Sequence, residues 1–132
     1  MTDGAAVNGA TNCRGATVLV VDDEALIRFF LVELLHDAGL QVFEASDADE
    51  AVTILGKSGS IDLVLTDLNM PGSSNGLDLA RFVRANRPET KIIFLSSAEP
   101  SPSLTRWGDA FLSKPCDCGK IVRTIDEVLA AP

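Results

Sequence analysis

Three carboxylates, a hydroxyl and an ammonium stand at the ends of four short apolar runs. Val18, Leu19, Val20 and Val21 lead into Asp22 and Asp23. Leu63, Val64, Leu65 and Thr66 lead into Asp67, and Ile92, Ile93, Phe94 and Leu95 into Ser96 and Ser97. Ala110, Phe111, Leu112 and Ser113 lead into Lys114 and Pro115. Runs of this kind, with helical patterns between them, read as parallel strands buried on both faces. In such sheets a ligand sits outside the carboxyl ends of the strands, so the four ends converge on one spot. Three carboxylates crowded together repel one another unless a divalent cation joins them. A metal-dependent phosphoryl site is the economical reading.

The elements that must position these groups alternate strand and helix five times. Strands are predicted at 17–21, 41–45, 62–66, 91–95 and 109–113, and helices at 24–38, from 46 or 47 to 57, at 76–86 and at 117–129. Gly39 suits an αL cap on the first helix, Ser46 or Asp47 an N-cap on the second, and Pro88 a stop after the third. Such alternation implies a three-layer α/β sandwich with a parallel sheet.

Composition narrows the class. The chain has 132 residues, 46% of them hydrophobic, enough for one domain with a proper core. A net charge of −8 argues against a nucleic-acid partner. No apolar run approaches a membrane span and no signal-peptide pattern opens the chain, so a cytoplasmic protein is expected. Residues 1–16, rich in Gly, Ala, Asn and Thr, are expected to form a disordered tail ahead of a domain at 17–130. Cys13, Cys116 and Cys118 make neither a zinc site nor a disulfide framework, and read as reduced thiols.

Four motifs in order, V-V-D-D-E at 20–24, L-T-D-L-N-M-P-G at 65–72, L-S-S-A at 95–98 and F-L-S-K-P at 111–115, give the chain a resemblance to the response-regulator receiver domains of two-component signalling. The resemblance covers about 17–129. It implies a doubly wound, flavodoxin-like, five-stranded parallel sheet in the order 2-1-3-4-5. It also implies an activity: a phosphoryl group passes from a phosphohistidine donor to one aspartate, the domain changes shape, and the group is later hydrolysed. That is phosphoacceptor chemistry rather than a turnover enzyme.

Residue by residue, the resemblance makes Asp67 the phosphoacceptor, against the plainer role of a loop aspartate before a Pro-Gly turn. It makes Asp22 and Asp23 the acidic pair for Mg²⁺, against simple helix capping. Asn69 would complete the metal shell through its backbone carbonyl. Lys114 would pair with the phosphoryl oxygens, with a cis bond to Pro115. Ser96 stands as the switch hydroxyl and Phe111 as the aromatic switch, against a plain core phenylalanine. The small Ala98, two past the switch hydroxyl, implies fast self-hydrolysis.

Other classes fit less well. A flavin carrier of this fold needs a phosphate loop where Asp22, Asp23 and Glu24 would repel phosphate. An aspartate-nucleophile phosphatase shows a second aspartate where this chain has Asn69. The nearer alternative is a receiver fold that only docks and is never phosphorylated. The chain resembles a stand-alone receiver, or else the N-terminal fragment of a longer response regulator.

Two departures are informative. The stretch between Ser96 and Lys114 is about one helical turn shorter than the family pattern and carries Pro100 and Pro102. The helix between the fourth and fifth strands is therefore expected to be reduced to a turn around Leu104 to Trp107, or missing, which favours a monomer. On the first helix, Ile27, Leu31, Leu34, Leu35 and Ala38 share the stripe expected to face the sheet, leaving Ala25, Phe29, Val32 and His36 outside. Phe29 and Val32 are therefore candidate contacts for the donor, a histidine kinase or histidine phosphotransfer protein, and His36 belongs to that interface.

Overall fold

The computed structural model describes residues 15–68, 75–97 and 106–131. In chain order the elements are β1 (Thr17–Val21), α1 (Ala25–Asp37), β2 (Gln41–Ala45), α2 (Ala48–Lys57), β3 (Leu63–Asp67), α3 (Gly76–Asn86), β4 (Lys91–Ser96), β5 (Ala110–Ser113) and α4 (Cys118–Ala130). All pairings are parallel and the sheet order is β2-β1-β3-β4-β5. This is the doubly wound, flavodoxin-like arrangement that the alternation and the resemblance imply.

Period-two alternation along the central strands builds two cores. Leu19, Val21, Val64, Ile92 and Phe94 join Ala51, Leu55, Leu79 and Val83 of α2 and α3 on one face. Val18, Val20, Leu63, Leu65, Ile93 and Leu95 join Leu31, Leu35, Ile121 and Ile125 of α1 and α4 on the other. The three central strands thus need apolar residues on both sides, which is why they read as unbroken runs. β2 lies at one edge, and only Ala45 of its residues is fully buried.

Local chemistry sets the helix ends. Gly39 takes φ +95°, its N–H bonds the His36 carbonyl, and the Leu40 N–H bonds the Leu35 carbonyl. These two bonds make a Schellman cap that turns the chain from α1 into β2. Asp47 caps α2, accepting from the Glu50 N–H, while Glu50 in turn accepts from the Ser46 N–H. Asn75 and Asp78 form a capping box at the start of α3.

Several boundaries differ from the sequence reading by one residue, with two consequences. β3 and β4 each run one residue further, so Asp67 and Ser96 are held by the sheet itself. At the amino end, the Gly15 N–H donates to the Gly39 carbonyl and the Ala16 carbonyl accepts from the Gln41 N–H, so these two residues are tied in. The remaining tail, residues 1–14, lies outside the described residues, as do 98–105, where the shortened helix is expected. Arg106 and Trp107 form a turn. Four helices stand among the described residues, none long and apolar enough to cross a membrane.

Candidate functional site

Parallel pairing brings the carboxyl ends of β1, β3, β4 and β5 side by side, and the site grows from what each end carries. Asp22 follows β1 directly and is 1% exposed. Its N–H donates to the Ala45 carbonyl at 3.2 Å, and its Oδ1 accepts from the Glu24 N–H at 2.9 Å. The carboxylate thus satisfies the N–H of Glu24, the N-cap of α1, whose own side chain makes no capping hydrogen bond. Oδ2 is left facing the site. Asp67 ends β3 and is also buried.

Lys114 enters from the end of β5. Its backbone N–H donates to the Ser96 carbonyl at 2.8 Å, tying it to β4, and its peptide bond to Pro115 is cis. Its Nζ lies 3.2 Å from Asp22 Oδ2, 3.4 Å from Asp67 Oδ2 and 3.8 Å from Glu24 Oε1. Burial works to lower the affinity of this ammonium for its proton. The carboxylates of Asp22 and then Asp67 outweigh that, and hold Lys114 above the usual lysine value.

Carboxylate oxygens of Asp22, Glu24 and Asp67 lie within 4.8 Å of one another. One ammonium against three carboxylates leaves an excess of negative charge in a largely buried place. Oxygen donors so close, and incompletely neutralised, fit a hard divalent cation such as Mg²⁺.

The sequence-derived residues fare unequally. Asp22, Asp67 and Lys114 come together. Asp23 is exposed and stands outside this cluster, and Glu24 takes the third place. Glu24 was legible only as an acid at a helix start, and its reach into the site depends on how the 22–24 peptides turn. Asn69 and Ala98 lie outside the described residues. Ser96 is fully buried at the end of β4. Phe111 is half-buried against the α2–α3 core, its ring 6.0 Å from Phe94 and inclined at 51°.

On α1, Val32 is not on the open side. It is half-buried against the α1–α4 core, and the exposed apolar stripe is instead Leu26, Phe29 and Phe30, at 85%, 65% and 47% exposure. A cleft of about 350 Å³ runs from Phe30, Ile27 and Leu31 to Pro115, Cys116 and Ile121, with Lys114 at its wall. Cys116 is half-buried there, and burial pushes its thiol up.

Fold and site together define a doubly wound α/β domain with an acidic, lysine-bridged centre at its strand ends. Residues 18–126 match the response regulator receiver domain model, and the chain belongs to that family, a signalling module of two-component systems rather than a conventional enzyme. It is 35% identical over 131 residues to the sensor kinase CckA of Brucella abortus, covering 93% of this chain and 14% of that protein. It is 33% identical over 118 residues to the response regulator GacA of Pseudomonas aeruginosa, covering 86% of this chain and 55% of that one. The chain therefore spans well under two thirds of either relative. The structure of TrrA from Thermotoga maritima, in complex with Mg²⁺–BeF, is similar with a TM-score of 0.78 and 30% identity. That match covers 86% of this chain and 98% of TrrA.

Proposed function

We propose that the chain accepts a phosphoryl group on Asp67 from a phosphohistidine donor and that Mg²⁺ is held by Asp22, Asp23 and Asp67 with the Asn69 carbonyl, Glu24 standing in the same acidic cluster. The observation that carries this is the Lys114 ammonium, shared between Asp22 and Asp67 at the strand ends. An Asp67 oxygen attacks phosphorus in line, the new P–O bond forming as the P–N bond breaks. The electron pair leaves on the imidazole nitrogen. Mg²⁺, when bound, offsets the charge on the phosphoryl oxygens. Lys114 holds an oxygen that the cation does not reach, and the Ser96 hydroxyl bonds the new group. The aromatic ring of Phe111 then repacks against the space that Ser96 vacates. Later a water attacks phosphorus, the P–O bond to Asp67 breaks with its electron pair returning to the carboxylate, and inorganic phosphate leaves.

Labelled phosphodonor tests the acceptor. The wild-type chain should take up label with Mg²⁺, and Asp67→Asn should take up none while its metal-free form is as stable as wild type or more so, because one crowded carboxylate is gone. Label on Asp67→Asn at the wild-type level would overturn the assignment. A wild-type chain that no donor labels would leave the docking-only reading in its place.

The donor, a histidine kinase or phosphotransfer protein, is proposed to lay a helix along Leu26, Phe29 and Phe30 beside the cleft that reaches Lys114. Phe29→Asp should slow transfer from the protein donor at least tenfold, by the loss of one buried aromatic anchor. Labelling by acetyl phosphate should stay unchanged. Equal slowing with both donors would remove this surface from the reading.

A further inference from the structure

Arg28 belongs to neither the strand ends nor the apolar stripe of α1, yet it holds the acidic loop in place. It sits in the first turns of α1, where its own N–H donates to the Glu24 carbonyl at 2.9 Å. Its Nη1 donates to the backbone carbonyl of Asp22 at 2.8 Å. Its Nε donates to Glu44 Oε1 at 3.0 Å, on the neighbouring edge strand β2. Glu44 pairs in register with Val20, two residues before Asp22. The planar guanidinium therefore spans from β2 to the loop in a fixed fork, which a flexible ammonium cannot reproduce.

The peptide after Asp22 is consequently tied down. The Asp22 N–H is bound to Ala45, its carbonyl to Arg28, and its Oδ1 to the Glu24 N–H. With these fixed, Oδ2 has one direction left, toward Asp67 and Lys114. The same peptide plane decides how Asp23 and Glu24 leave the loop. An exposed ion pair such as Arg28–Glu44 contributes little stability by itself. Its effect here is to lock the arginine that locks the carbonyl.

We infer that Arg28 is a positioning residue for the cation site, acting through the Asp22 carbonyl, with Glu44 as its outer anchor. The inference rests on the proposed Mg²⁺ role of Asp22 and Asp67. Supporting partners behind metal ligands commonly alter affinity ten- to hundredfold.

Electrostatics alone predicts the opposite sign, which makes the test sharp. Arg28 is a cation near the acids, so removing its charge should tighten Mg²⁺ binding if charge were its only contribution. If it positions the loop, removal should weaken binding. The experiment is an Mg²⁺ titration of the full chain, followed by the NMR amide signals of Asp22, Asp23 and Glu24. Arg28→Met should raise the Kd about tenfold, and Arg28→Lys, which keeps the charge but cannot hold carbonyl and Glu44 together, several-fold. Glu44→Gln, which keeps an acceptor for Nε, should stay within about twofold of wild type. Metal-free Arg28→Met should also show moved amide signals at 22–24.

An unchanged or lower Kd in Arg28→Met overturns the positioning role. Should that variant fail to fold, Arg28→Lys decides, and a wild-type Kd there overturns it. A wild-type chain without any Mg²⁺ response overturns the metal reading instead. The positioning role then stands or falls on the metal-free spectra, where unmoved 22–24 signals in Arg28→Met refute it.

Discussion

At the scale of single residues the site is an argument about one proton. Lys114 is mostly buried and is held protonated by Asp22 and Asp67, which outweigh the cost of burial. Its affinity in the folded chain is raised above the ordinary 10.5. A group raised on folding contributes its stabilisation in full below the unfolded value, and loses it as pH rises through the folded one. Stability should therefore fall on alkaline titration above about pH 10.5. Lys114→Met should lack that part of the fall, and should be less stable than wild type near neutrality because two buried carboxylates lose their partner. Denaturant midpoints from pH 8 to 12 for both proteins check this. Parallel curves would show that the lysine carries no such linkage.

At the scale of elements, the position of Asp67, the proposed acceptor, depends on how closely α3 begins against the end of β3. The Gly76 N–H donates to the Leu68 carbonyl at 3.1 Å. A Cβ on Gly76 would lie 2.4 Å from the Asp67 carbonyl oxygen and 2.9 Å from the Leu68 Cα, both rigid backbone atoms. Only glycine permits this approach. Gly76→Ala should cost about 1–3 kcal/mol by overpacking, although alanine is the better helix former. It should also weaken Mg²⁺ binding, since the strain falls on the Asp67 peptide. Denaturant unfolding and the same Mg²⁺ titration measure the two effects. A Gly76→Ala chain as stable as wild type would mean that α3 is free to shift outward.

Across the whole molecule, Trp107 offers a view of the proposed switch from a distance. It is the chain's single tryptophan, half-buried against the α2–α3 core that also holds Phe94 and Phe111. The guanidinium groups of Arg81 and Arg106 each lie 5.7 Å from its ring. Arg84 bonds its carbonyl at 3.3 Å and pairs with Asp109 at 2.8 Å, which fastens this turn to α3. If Ser96 and Phe111 move together, the surroundings of Trp107 change with them. Mg²⁺ with beryllofluoride should alter Trp107 emission in the wild-type chain, and Phe111→Ala should abolish most of the change without preventing binding. A full emission change in Phe111→Ala would detach the aromatic ring from the switch.

The sequence alone carried the architecture and the main chemical groups. Strands buried on both faces are apolar through their middles, so β1, β3 and β4 announce themselves. A polar residue at the end of such a run can only lie at the sheet's carboxyl edge. Asp22, Asp67, Ser96 and Lys114 were readable for that reason, and Gly39 because a helix must end before β2 can begin. Tertiary structure alone decided the rest. Asp23 and Glu24 are adjacent acids at a helix start, and Glu24 is the one clustered with Asp67. The loop that carries them is bonded to Ala45, which is remote in sequence, and to Arg28 on the next turn of α1. Val32 and the pair Leu26 and Phe30 flank the buried stripe of α1 at similar angles, so periodicity cannot rank them. What lies beside the helix does: Val32 meets the α1–α4 core, while Leu26 is open to solvent and Phe30 borders the cleft toward Lys114. A helical pattern states which residues share a face, and only neighbouring elements determine how much of each flank they cover.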